Sequence, residues 1–128
     1  MKTLYQYAIV RFLPFAVTGE FANIGIVLCA PAAGIFAFQL VPEHSKRVPE
    51  FFPKINEALF PLTLRALTEE LRKIQQLAEQ QKAPEVFVAF QQLTQPSEEL
   101  ICYSCLRSVL TAAKPDELMA QLVSQLVP

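Results

Sequence analysis

From Phe21 to Pro42 the chain runs 22 residues without a charged side chain, and what this run can become limits the whole fold. A stretch of that length is long enough to cross a bilayer as a helix. Its middle, however, is Pro31-Ala32-Ala33-Gly34, and Asn23 and Gln39 stand near its ends. Proline removes a backbone donor and glycine supplies turn conformations. Strand-forming runs flank the pair on both sides, so the segment reads as a β-hairpin and not a membrane helix.

A third strand precedes the hairpin, from about Leu4 to Phe12, with Pro14 and Gly19 bracketing the loop to the next strand at Asn23–Ala30. In that second strand Ile24, Ile26 and Leu28 are expected on one face and Val27 and Cys29 on the other, which makes it central and covered on both sides. Gly25 suggests a bulge or a close backbone approach, and Gly34 a turn.

After Pro42 the pattern turns helical. Ser45–Phe52 is read as a short helix closed by Pro53. Over Asn56–Gln81, Phe60, Leu64, Leu67, Leu71, Ile74 and Ala78 recur every three or four residues, the stripe of a helix that docks on the sheet. Glu69 and Lys73 form a favourable i, i+4 pair on its outer side. Glu85–Leu93 is read as a helix because Pro84 suits a first helical position. Leu100–Tyr103 and Leu106–Thr111 are β-rich. A last helix starts at Pro115, with Asp116 and Glu117 in its first turn and Leu118, Leu122 and Leu126 as its buried row. The order gives an α+β fold, one domain over residues 1–128, with a mainly antiparallel sheet, an N-terminal three-strand unit, packed helices and a C-terminal helix.

Composition narrows the function classes. Apolar residues are 52% and charged residues 18%, against about 45–50% and about 25% in ordinary soluble domains. The excess predicts an apolar contact face for another protein or a second copy, with Leu59, Leu62, Met119 and Val123 as its candidates; a tight core under a Gln-rich surface explains it equally well. The net charge of −1 supplies no field for nucleic acid, and Lys46, Arg47 and Lys54 are too thin a basic group to track phosphates. The N-terminus shows no secretory pattern, and three cysteines do not make a disulfide framework, so a cytoplasmic setting is expected.

Chemistry is sparse. There is no glycine-rich phosphate loop and no nucleophile elbow. Cys102 and Cys105 have metal-pair spacing, but in a strand residues three apart face opposite ways, and His44 is the single histidine; no metal or cofactor is expected. What stands out is Arg11, a charge within a strand of Ile, Val and Phe, which needs a partner. Glu20 is the nearest acid in sequence, and Asn23 follows it. Arg11, Glu20 and Asn23, joined by Arg47 and Arg107, form the candidate ligand-binding set, because an arginine fork suits carboxylate or phosphate. No catalytic residue is assigned.

The same residues carry a resemblance. Tyr5, Ala8–Phe12 and Pro14, then Gly19–Phe21 and Asn23–Leu28, resemble the opening of the bacterial domain-of-unknown-function family 3037. The likeness continues through Arg47, Val48 and Phe51–Pro53 and resumes at Leu93, Thr94, Pro96, Glu98, Ile101, Arg107, Thr111 and Pro115–Glu117. One departure is Ala112-Ala113-Lys114, where the family usually carries acidic residues. The resemblance implies a small bacterial protein, often encoded beside a protein similar to HipA-type kinases. Two functional classes follow. One is a non-enzymatic interaction or regulatory module, partner of a kinase-like or defence/toxin-system protein. The other is a binding protein or enzyme for a small anionic ligand held by the Arg/Glu/Asn set.

Overall fold

Strand β1 (Thr3–Phe12) runs through a five-stranded antiparallel sheet and touches every part of it but one strand. A computed structural model describes all 128 residues, Met1–Pro128. On one side β1 pairs with β2 (Ala22–Ala30), which pairs with β3 (Ile35–Leu40). On the other side it meets two short strands end to end: β4 (Ile101–Tyr103) opposite Val10–Phe12, and β5 (Arg107–Thr111) opposite Thr3–Tyr7. The expected hairpin is present, turning through a single 3₁₀ turn at Pro31–Ala33 and closed by Gly34 at φ +67.

The sheet has helices on both faces, so the fold is α+β. The short α1 (Arg47–Phe51), the long α2 (Leu59–Glu79) and α3 (Ala83–Leu93) cover one face. There Phe60, Leu64, Leu67, Leu71 and Ile74 of the predicted stripe meet Ala8, Val10 and Phe12 of β1, with Val86 and Phe90 of α3 beside them. On the opposite face α4 (Pro115–Leu126) lays Leu118, Met119 and Leu122 on Tyr5, Ile9, Ile26 and Leu28. The Tyr5 hydroxyl donates to the Ala113 carbonyl (3.2 Å), fixing the chain where α4 begins. Burial of these side chains from both layers is the main favourable contribution to the fold.

One register differs from the expected alternation. The β1–β2 pairing steps from Val10–Gly25 to Arg11–Asn23, leaving Ile24 as an extra residue. Ile24 therefore joins Val27 and Cys29 on the α2 face, while Ile26 and Leu28 stay on the α4 face. Gly25 permits this through close approach: a Cβ there would lie 2.5 Å from the Gln39 carbonyl oxygen. The Glu69–Lys73 pair does not form. Both side chains are exposed, and solvation outweighs so weak an attraction. The chain's single ion pair is instead Arg65–Glu43, at 2.9 Å between α2 and the segment after β3.

Candidate functional site

The bulge at Ile24 sets the geometry around Arg11. Since Val10 and Phe12 point into the α2 layer, Arg11 projects to the α4 side, opposite Asn23 of β2 and Cys102 of β4. Its expected carboxylate is not there. Glu20 ends an exposed loop, where its amide donates to Thr18 Oγ1 (3.3 Å), and it makes no ion pair. The next residue takes its place: the Arg11 guanidinium carbon lies 4.3 Å from the centroid of the Phe21 ring. The arginine thus meets a π face at the sheet margin, and Glu20 keeps its hydration, which avoids the desolvation cost of a buried ion pair.

Asn23 ties three elements together. Its Nδ2 donates to the Leu126 carbonyl (3.0 Å), holding the end of α4 against β2, and its own carbonyl accepts from Arg47 Nη2 (2.7 Å) at the start of α1. Two polar atoms stay buried without a partner at this point, Arg11 Nε and Asn23 Oδ1, a donor and an acceptor on cross-strand neighbours. A pocket of about 230 Å³ opens beside them, lined by Phe21, Ala22, Asn23, Arg47, Phe51 and Pro128. Of the five proposed residues, Arg11, Asn23 and Arg47 gather here. Glu20 stays outside, and Arg107 pairs with Tyr7, four residues before Arg11 on β1, which places it roughly 13 Å away along the strand.

Around the pocket the surface is aromatic. Phe21 is 41% exposed, Phe51 55%, Phe15 39%, and Val17 of the same loop is fully exposed. Buried Phe52 joins them, with its ring 4.7 Å from that of Phe51 and 6.4 Å from that of Phe15. Sequence reasoning missed this face, although one signal was available. Phe51 ends the five-residue α1 and Phe52 follows it directly, and side chains so adjacent do not share one face, so one ring had to remain outside. The residues expected to carry the apolar surface behave otherwise. Leu62 is exposed, but Met119 is buried and Leu59 and Val123 are partly buried against the cores.

Arg47 is the single ionisable side chain among the residues lining the pocket. Of the three thiols, Cys29 and Cys102 are buried, and burial pushes both up and away from the nucleophilic thiolate; Cys105 lies exposed at the other end of β4. No three metal-ligating side chains stand close enough together to hold an ion. No helix is long and apolar enough to cross a membrane.

These features define a small α+β domain with an exposed face of phenylalanine rings and arginines at one end of its sheet. The chain belongs to the family described as Protein of unknown function (DUF3037), which matches residues 7–127. No curated protein and no solved structure matches it.

Proposed function

We propose that the chain is a non-enzymatic protein-interaction module, and that the face formed by Arg11, Phe15, Phe21, Arg47 and Phe51 is where a partner docks. The observation that carries this reading is the combination of three exposed phenylalanines with two arginines that no carboxylate neutralises. Aromatic residues and arginine are the types enriched where protein interfaces concentrate their binding energy. The chemistry that matches is a protein segment placing an acidic side chain among apolar ones. Its carboxylate meets the arginine forks, and its apolar groups cover the rings. A regulatory role beside a kinase-like or defence-system neighbour is the setting that the family resemblance implies.

A second reading rests on the unpartnered Arg11 Nε and the pocket next to it: a small free anion, a carboxylate or phosphate, occupies the site. One experiment separates the two. Wild-type protein and a Phe51→Ala, Arg47→Ala variant are cross-linked in lysate of the native host and the captured proteins quantified. Arg47 also bonds the Asn23 carbonyl, so the variant is compared only once its circular dichroism and urea midpoint match the wild type. A stoichiometric partner captured by the wild type and lost in the variant is expected. Equal capture by both forms overturns the docking face. A small anion carried through purification of the wild type, without a protein partner, establishes the second reading instead. Light scattering on the same samples identifies a second copy as the partner if the wild type is dimeric and the variant monomeric.

A further inference from the structure

A larger cavity than the one beside Arg47 lies elsewhere, between the middle of α2, the C-terminal end of α3 and β4. It holds about 620 Å³, in the range of pockets that take small organic ligands, and shares no residue with the aromatic–arginine face. Three independent features give it one electrostatic sign. Glu70 of α2 and Glu99 of the loop before β4 both line it, and no basic side chain does. The α3 end that lines it, with Gln92 and Leu93, is the negative end of an 11-residue helix. The loop Pro96–Glu99 makes no backbone–backbone hydrogen bond, which leaves its carbonyls free as acceptors. The rest of the wall divides between apolar surface, from Leu93, Leu100, Ile101 and the ring of Tyr103, and uncharged polar groups of Gln92, Gln95 and Ser97. Burial, reinforced by the Glu70 charge, pushes the Tyr103 phenol up, so this ring stays neutral and presents a π surface.

We propose that this cavity binds a small organic cation, an alkyl- or arylammonium whose charged head faces Glu70 and Glu99 and whose apolar body lies over Leu93, Ile101 and Tyr103. An anion is repelled by both carboxylates and by the helix end. A neutral molecule of the same shape forgoes the charge-assisted bonds that an ammonium makes to carboxylate and carbonyl oxygens. A bare metal ion gains nothing from the apolar half of the wall.

The test is a titration of ¹⁵N-labelled full-length protein, followed by amide shifts. The probes are phenethylammonium and agmatine, with phenylacetate and 2-phenylethanol as anionic and neutral counterparts. Saturable shifts confined to residues 92–103 and to the turn around Glu70 are expected with at least one cation and with neither counterpart. Glu70→Gln and Glu99→Gln alter exposed side chains and leave the fold intact. Each is expected to weaken the cation by about tenfold, equivalent to roughly 1.4 kcal/mol, whereas Glu79→Gln, at the end of α2 and off the cavity, leaves it unchanged. The proposal is overturned if no cation saturates below about 10 mM, where binding falls to a few kcal/mol. It is equally overturned if phenylacetate or phenylethanol binds as well, or if both glutamine variants titrate like the wild type. None of these outcomes bears on the docking face.

Discussion

Ser104 and Ile9 hold each other across the sheet by two hydrogen bonds, one of which no regular ladder would make. The Ser104 amide donates to the Ile9 carbonyl (3.0 Å), and the Ile9 amide donates to the Ser104 hydroxyl oxygen (2.8 Å). The side chain replaces a backbone carbonyl where the edge breaks between β4 and β5. Ser104→Ala should leave the Ile9 amide buried and unpaired. The expected loss is about 1–3 kcal/mol, read from the urea midpoint at unchanged slope.

Arg11 sits on a ring and not in an ion pair, and its substitution should therefore be mild. Arg11→Ala is expected to cost less than about 1 kcal/mol, the scale of a cation–π contact at a solvent-exposed site, against the 3–5 kcal/mol typical of breaking a buried ion pair. A double-mutant cycle with Phe21→Leu should return a coupling of about 0.5–1 kcal/mol. A parallel cycle with Glu20→Gln should return none.

Gly25→Ala should be among the most damaging single changes available to the sheet. The added Cβ would meet the Gln39 carbonyl oxygen at 2.5 Å and the Leu40 Cδ2 at 2.6 Å. The first of these is backbone, so β2 and β3 must part to admit it. A loss of about 1–3 kcal/mol is expected from such overpacking, together with faster amide exchange along β3.

Alkaline pH should destabilise the protein through Cys29. Burial pushes this thiol from its ordinary 9.0 up to about 11. Below pH 9 both folded and unfolded chains hold the proton. From there to about pH 11 the unfolded chain releases it and the folded chain does not, so stability present at neutral pH is lost as pH rises through that window. The loss is on the order of 2 kcal/mol. Urea midpoints at pH 7.5 and 10.5 check the fall, and Cys29→Ala should reduce its slope.

Thiol labelling gives a simpler check of the same burial pattern. Cys105 is exposed while Cys29 and Cys102 are buried. A disulfide reagent added to native protein at pH 8 should label one thiol rapidly, and all three after denaturation. Rapid labelling of Cys102 in native protein would contradict its place beneath the edge of the sheet.

What the chain discloses in advance follows from the range of the interaction involved. The stripe Phe60 to Ile74 and the turn at Pro31–Gly34 are local patterns, and both appear in the structure where the spacing puts them. The bulge was only half visible. Gly25 marked an irregularity, but the position of Ile24 depends on Leu40 and Gln39 across the hairpin. Proximity in sequence misled most at Arg11. Glu20 is nearer than any other acid along the chain, yet the exposed loop carries it outward and presents Phe21 instead. Arg107 was grouped with Arg11 because nothing in the order of residues says which half of β1 its strand will join.

The placement of β1 has a consequence for how the protein is made. Thr3 pairs with Thr111, and Tyr7 with Arg107, so β1 waits for a strand synthesised about a hundred residues after it. Until then β1, β2 and β3 have only the face that α1, α2 and α3 cover, and the opposite face is without its helix. Ile9, Ile26 and Leu28 stay bare longest, because α4 is the last element to emerge. Contacts so distant in sequence slow folding and lengthen the exposure of sticky surface. The unfinished sheet thus carries one bare apolar face until α4 is made, and that interval is when the chain is most open to wrong contacts.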